Sequence, residues 1–137
     1  GMSFALSGPL QAAIFTALSN DAALVALVGT DIYDAVPSGV VPALYVRLGS
    51  ETASDASDGS GSGALHKFTT SVITTDPGFA TAKLVAGAIS DALHEADLTL
   101  SRGQLISLRF ERATATRTDG GNTREIHMLF RARVADD

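Results

Sequence analysis

The stretch LHKFTTSVITTDPGFATAKLVAGAISDAL, residues 65–93, encodes a strand, a turn and a helix in succession. Its first part, residues 65–75, is rich in β-branched residues, which favour a strand. Asp76-Pro77-Gly78 is then typical of a helix start, with Asp76 as the N-cap and Pro77 in the first turn. Apolar residues follow at every third or fourth position, the spacing of one helix face. The sequence therefore predicts a strand followed directly by an amphipathic helix.

Two long strands are predicted beyond this helix. Apolar and polar residues alternate over residues 104–118 and again over residues 123–135. Asp119-Gly120-Gly121-Asn122 lies between them and is rich in residues that form hairpin turns. The even-numbered residues are the apolar ones in both strands, so the even-numbered face of this hairpin is expected to cover a core.

The charged residues of these strands suggest how the two strands are aligned. An alignment that places Glu111 opposite Arg131 also places Arg117 opposite Glu125, which gives two favourable pairs. Sliding one strand by two residues keeps the apolar faces together but loses both pairs. We therefore predict the first alignment, which implies a hairpin loop of three residues, 120–122.

The chain before the central strand predicts two short helices and a further strand. Residues 9–18 carry an apolar stripe at helical spacing. A second helix is predicted between Asn20, as its N-cap, and Gly29, which ends it. Residues 32–36 form a brief extended piece, and residues 43–48 alternate as a strand.

These elements predict an α+β fold in the order α-α-β-β-α-β-β. The expected architecture is a four-stranded, mainly antiparallel sheet with helices packed on one face. The length of 137 residues suits a single domain over residues 1–137. Residues 1–7 are expected to form an N-terminal arm, in which Gly1 before Met2 resembles the scar of an expression tag.

Residues 50–63 are rich in serine and glycine and predict a flexible loop between two strands. A solvated hairpin connection would explain this composition. Loops longer than about 12 residues in compact domains are, however, often functional or ordered by a partner. In the second case Glu51, Asp55 and Asp58 would face that partner, and the sequence leaves both interpretations open.

Charge is distributed unevenly along the chain, although the net charge is only −5. Residues 1–62 contain one basic residue, Arg47, against six acidic residues, whereas residues 102–134 contain seven arginines against three acidic residues. An acidic chain is not expected to bind nucleic acid through its overall charge. Its two halves can instead be complementary between copies of the same chain.

The odd-numbered face of the last two strands carries charged side chains. A solvated sheet face is one explanation, because antiparallel sheets often expose one face to water. An interface is the other, because arginine is enriched at protein interfaces and binds carboxylates in a bidentate manner. The residues predicted for an interface between subunits are Arg109, Glu111, Arg117, Glu125, Arg131 and Arg133.

The sequence contains no complete catalytic or metal-binding motif. His94-Glu95 begins like a zinc-protease helix, but Leu98 stands where the second histidine would be. The chain has no cysteine, which excludes disulfides and zinc ribbons. No apolar run reaches the roughly 18 residues that span a bilayer. We therefore expect no catalytic, cofactor-binding or metal-binding residues and no membrane partner.

The order and spacing of several short segments resemble those of the tail-completion, or tail terminator, proteins of long-tailed bacteriophages and gene transfer agents. The resemblance extends over residues 8–134. The chain departs from the family at residues 72–74, where Val-Ile-Thr replaces a frequent valine-tryptophan-serine. The segments that carry the resemblance are Leu10–Leu18, Leu24–Gly29, Ile32-Tyr33-Asp34, Pro42–Gly49, the strand that begins at His66, and the helix Gly78–Leu93.

The resemblance implies a structural protein without a cofactor. Such proteins form a ring, usually a hexamer, that caps the head-proximal end of the tail tube and joins it to the neck. The implied partners are further copies of the chain, the tail tube protein and a head-completion protein of the neck. The implied location is the bacterial cytoplasm during assembly and then the virion or phage-like particle. The alternatives are a stopper or tube subunit and, in another class, a small ligand-binding or hydrolytic domain.

Overall fold

In the computed structural model, which describes residues 4–56 and 63–136, three helices cover one face of a five-stranded sheet. A short 3-10 turn, Phe4–Leu6, leads directly into the first helix. The helices are α1 Ser7–Ser19, α2 Ala22–Val28 and α3 Ala80–Leu93, and the strands are β1 Ile32–Tyr33, β2 Leu44–Asp55, β3 Gly63–Thr74, β4 Gln104–Thr118 and β5 Thr123–Ala135.

The sheet has the strand order β1-β2-β3-β5-β4. The α+β class and the helices on one face are as predicted, but the four-stranded antiparallel sheet is wrong in detail. The brief extended piece at Ile32–Tyr33 is a fifth strand, which pairs in parallel with β2 and makes the sheet mixed. The N–H of Val46 donates to the carbonyl of Asp31 at 2.9 Å beside this pairing. A two-residue strand is too short for its side-chain pattern to reveal it.

The core lies between the helices and the even-numbered face of the inner strands. Val46, Val72 and Ile126 lie side by side on β2, β3 and β5, and all three are buried. Phe130 is fully buried, stacks on Phe68 with 5.5 Å between ring centroids, and meets the edge of the Phe110 ring at 5.8 Å. α1 contributes residues at its predicted helical spacing, namely Leu10, Ile14 and Leu18.

Two of the predicted helix starts are shifted along the chain. The carboxylate of Asp21, rather than Asn20, accepts the N–H of Leu24 at 3.0 Å and caps α2. α3 begins at Ala80, so Asp76 is not its N-cap. The predicted end of α2 at Gly29 is confirmed, with a φ of 60° that favours glycine.

The predicted alignment of the β4–β5 hairpin is wrong. Arg109, rather than Glu111, lies opposite Arg131, and Arg117 lies opposite Arg124. Irregularities between Leu105 and Ser107 and between Phe110 and Arg112 place extra residues in β4, so the alignment changes along the hairpin. The loop has four residues, 119–122, because Thr118 pairs with Thr123.

The prediction of a flexible loop over residues 50–63 is wrong at both ends of that range. β2 continues to Asp55 and β3 begins at Gly63, and the N–H of Ala56 donates to the carbonyl of Gly63 at 3.0 Å. A strand needs only a partner for its backbone, so polar residues such as Thr52 extend the pairing without apolar burial. Asp58 lies outside the described residues.

Among the described helices, none alone combines the length and hydropathy needed to cross a bilayer. The N-terminal segments Phe4–Ser19 and Ala22–Val28 have the required length and hydropathy only when they are taken together, and the chain bends by 75° between them.

Candidate interaction surfaces

The face of the sheet opposite the helices carries most of the charged residues that the sequence selected. Arg131 lies on β5 beside Lys67 of β3. Oε1 of Glu111 lies 3.5 Å from Nζ of Lys67 and 4.0 Å from Nη1 of Arg131. The predicted proximity of Glu111 and Arg131 is therefore present, although the two residues do not face each other across the hairpin.

Glu125 is engaged within the chain. Its Oε1 lies 3.8 Å from Nη2 of Arg47 and 3.2 Å from Nε2 of His127, and its Oε2 accepts the hydroxyl of Thr118 at 2.9 Å. The predicted pair of Glu125 with Arg117 is not formed, because the four-residue loop places Arg117 opposite Arg124. Glu125 thus stabilises the sheet face rather than presenting a free carboxylate.

Three predicted arginines make weak contacts and stay exposed. Nη1 of Arg109 lies 3.8 Å from Oε1 of Glu95, and Nη2 of Arg133 donates to the carbonyl of Ala56 at 3.3 Å. The side chain of Arg109 is 59% exposed and that of Arg131 is 48% exposed. Exposed pairs of this kind contribute about 0–1 kcal/mol each, so these guanidinium groups remain available to another molecule.

β4 is the last strand of the sheet, and its outer edge is covered over only part of its length. The end of α3 covers the beginning, where the N–H of Glu95 donates to the carbonyl of Leu108 at 2.7 Å and the N–H of Phe110 donates to Nδ1 of His94 at 2.9 Å. Along residues 112–118, no described residue pairs with the outer backbone edge. This segment is a free strand edge.

The free edge carries two arginines. Arg117 was selected from the sequence, but Arg112 was missed, because the irregularity after Phe110 changes which residues of β4 share a face. Both are exposed, and neither guanidinium has a hydrogen bond or ion pair with another described residue. The surplus of arginine in residues 102–134 was the signal that pointed to this surface.

Glu51 does not face outward as predicted. The irregularity between Leu48 and Glu51 turns it to the helix side, where its Oε1 lies 2.5 Å from Nδ1 of His66 and both its oxygens accept the hydroxyl of Ser7. Its side chain is 14% exposed, so it is a structural group. Asp55 remains exposed at the end of β2.

The acidic residues that do reach the surface flank β1. The hydroxyl of Tyr33 donates to Oδ1 of Asp31 at 2.6 Å, and this bond is the main reason that the pKa of Tyr33 is raised. Nε2 of Gln11 donates to Oδ1 of Asp34 at 2.5 Å. An open groove of about 450 Å³ adjoins Asp34, and its lining residues are Gly8, Gln11, Ala12, Phe15 and Asp34.

No group of three or more histidine, cysteine or acidic side chains in residues 4–56 and 63–136 is arranged to hold a metal ion. His66 is paired with Glu51, His94 accepts from Phe110, and Nδ1 of His127 lies 2.7 Å from the hydroxyl of Ser71. The surfaces described above offer charged groups and free backbone groups, which suit contact with other proteins.

An exposed arginine face together with a free strand edge is typical of a protein that acts through contacts with other chains. The family model of the tail completion protein gp17 matches residues 12–135. The chain therefore belongs to the tail completion protein family and is a structural protein of a phage-type tail. Membership of this structural family indicates a non-enzymatic role.

A solved structure extends the comparison over nearly the whole chain. A chain from the virion of a native gene transfer agent (GTA) particle is similar to this protein, with a TM-score of 0.92 and 55% sequence identity. The match covers 97% of this chain and 99% of that chain. A comparison with curated proteins finds no match. The resemblance to the tail-completion proteins of phages and gene transfer agents is thus confirmed.

Proposed function

We propose that this protein forms a ring, a hexamer, that caps the head-proximal end of a tail tube and joins the tube to the neck. Membership of the tail completion family and likeness to a chain of a gene transfer agent virion support this role. The structural observation that carries it is the sheet face with its exposed, weakly paired arginines. A protein needs such free groups to bind several neighbours.

Contacts between copies involve the arginines of this face. Arg109, Arg131 and Arg133 are exposed and bind carboxylates of a neighbouring copy, because arginine forms bidentate pairs with them. Glu111 orients Arg131, at 4.0 Å from its Nη1. A ring requires unlike patches to meet, and the acidic N-terminal half of the neighbouring chain supplies the other patch.

The other partners are the tail tube protein and a head-completion protein of the neck. The end of the β2–β3 hairpin, with Asp55 and Asp58, contacts the tube or lines the lumen of the ring. The protein is synthesised and assembled in the bacterial cytoplasm and then stays in the virion or phage-like particle. Its work is structural and involves no cofactor.

Capping is tested by polymerising purified tail tube protein with and without this chain and measuring tube lengths by negative-stain electron microscopy. We expect shorter tubes with a ring at one end. Arg131→Glu/Arg133→Glu should reduce the fraction of capped tubes while its far-UV circular dichroism stays that of the wild type. An unchanged length distribution with the wild-type protein contradicts the capping role.

A second variant tests the hairpin end. Replacement of residues 57–62 by Asn-Gly keeps β2 and β3 and the pairing of Ala56 with Gly63, because a two-residue turn can join paired strands. We expect fewer capped tubes with a correctly folded chain. If this variant caps tubes as well as the wild type, the hairpin end has no role in binding the tube.

A further inference from the structure

One row of paired residues crosses the whole sheet from its β1 edge to its β4 edge. Tyr33 of β1 lies beside Arg47, and the same row continues through Ser71 and His127 to Thr114 of β4. The free part of β4 and the short strand β1 are therefore at the same height on opposite edges. A copy placed beside another in the plane of the sheet brings these two edges together.

The β4 edge is basic and open. Arg112 and Arg117 stand on either side of Thr114, and neither has an ionic partner among the described residues. The residues between them include Ala113 and Ala115, which are exposed and whose small side chains let another chain approach the backbone. Unpaired backbone groups and unpaired guanidinium groups thus occur along one edge, with Arg112 and Arg117 on opposite faces of the strand.

The β1 edge has the opposite charge. Asp31 and Asp34 flank the two residues of β1, and no lysine or arginine precedes Arg47 in the chain. Asp34 borders the groove along α1, where the ring of Phe15 is 38% exposed. A carboxylate beside an aromatic ring suits a guanidinium group, which binds the carboxylate and stacks on the ring.

We propose that residues 112–118 on the β4 edge of one copy dock on the β1 edge and its groove in the next copy, with Arg112 and Arg117 meeting Asp31 and Asp34. This inference rests on the ring proposed above and adds a contact between strand edges to the contact proposed for the arginines of the sheet face. The two patches are different and lie on opposite edges, so each copy uses one patch toward each neighbour. A contact of this kind repeats around a closed ring.

Cysteine cross-linking tests this contact directly, because the chain contains no cysteine of its own. Ala113→Cys lies on the β4 edge, and Ala35→Cys follows Asp34 on the other; both positions are exposed. The two variants are mixed with tail tube protein under mild oxidation. We expect a disulfide-linked dimer of Ala113→Cys with Ala35→Cys, at a yield well above that of Ala113→Cys mixed with the exposed control Thr52→Cys.

Charge reversal supplies an independent measurement. Arg112→Glu/Arg117→Glu should weaken association by at least about tenfold, because like charges then meet. Asp31→Arg/Asp34→Arg should do the same, and the variant with all four substitutions should regain ring formation. Mixing the two double variants should also restore rings in which the two variants alternate, because each contact then joins either the two unchanged edges or the two reversed edges, whereas neither variant alone should form rings.

The outcomes separate this contact from the capping role. If wild-type tubes are capped but the cross-link does not exceed the control, the docking is wrong and the ring closes by another surface. If Arg112→Glu/Arg117→Glu forms rings normally and only aggregates more, the arginines merely protect a free edge, which also overturns the docking. Failure of the wild-type chain to cap tubes refutes the ring itself.

Discussion

Nδ1 of His66 lies 2.5 Å from Oε1 of Glu51, and the same carboxylate also binds the first residue of α1. His66 is fully buried, and the ring of Phe4 stacks on it with 6.1 Å between centroids. The hydroxyl of Ser7 donates to the two oxygens of Glu51 at 2.9 and 3.0 Å. The N-terminal turn and β3 are therefore joined through one carboxylate of β2.

Glu51→Ala is expected to lower the free energy of unfolding by about 3 kcal/mol, because it leaves the buried His66 ring without its polar partner. Urea denaturation monitored by circular dichroism measures the change. Thr52→Ala, an exposed neighbour on the same strand, serves as the control and should stay within about 0.5 kcal/mol of the wild type. Equal stabilities for the two variants would show that the pair does not stabilise the fold.

The raised pKa of Tyr33 has a consequence at alkaline pH. The hydrogen bond to Asp31, then desolvation, then the charge of Asp31 raise this pKa above the ordinary value of 10.0. Folding favours the neutral phenol of Tyr33. This group therefore contributes its full stabilisation when the pH is below the ordinary pKa of a tyrosine, and the stabilisation is lost as the pH rises through the raised pKa. In a Tyr45→Phe background, Asp31→Asn should lower the midpoint of the tyrosinate absorbance titration. An unchanged midpoint would exclude Asp31 as the cause.

Two glycines should respond oppositely to alanine. A side chain on Gly87, in the exposed middle of α3, meets nothing within 4 Å, so Gly87→Ala should stabilise the protein by about 1 kcal/mol. Gly103 has a φ of +73°, and a Cβ there would lie 2.6 Å from the carbonyl oxygen of Ala135 and 2.9 Å from Cδ2 of Leu6. Gly103→Ala should therefore destabilise by more than about 2 kcal/mol. Thermal melts of both variants test this, and a shift of the same sign in both would contradict it.

Phe130 is expected to be the most costly aromatic residue to truncate. It is fully buried between Phe68 and Phe110, so Phe130→Ala should lower the free energy of unfolding by about 3–5 kcal/mol through lost contacts and a cavity. Phe15→Ala, at 38% exposure on α1, is the matched control and should cost much less. Chemical denaturation ranks the two, and a larger loss for Phe15→Ala would show that the core lies elsewhere.

The helices and the burial of individual faces could be predicted because their signals are local. The apolar stripe predicted for α1 is buried in the structure at Leu10, Ile14 and Leu18. Gly29 ends α2, as predicted, with a positive φ. Helix starts were less certain, since more than one residue can act as a cap. Asn20 was predicted as the N-cap of α2, whereas the adjacent Asp21 holds that position.

The candidate surface was predicted only in part. The surplus of arginine near the C-terminus predicted charged side chains on β4 and β5 but did not single out Arg112, and the predicted pair of Glu125 with Arg117 is not formed. Glu51 was placed in a partner-facing loop, whereas β2 carries it to the buried side of the sheet. The differences at Arg112 and Glu51 arise where a strand gains an extra residue, and the missing pair of Glu125 arises from the four-residue loop.

The sequence alone determined the class of fold, the position of its helices, the alternation of its long strands and the family to which it belongs. The helices and the alternation depend on periodicity within one segment, whereas the fold class and the family depend on the order and spacing of several segments. Only the tertiary structure decided the pairing of strands, the fifth strand β1 and the face that Glu51, Arg112 and Arg117 occupy. The physical reason is that side chains alternate with a period of two, so a single extra residue in β2 or β4 reverses the face of every residue that follows it.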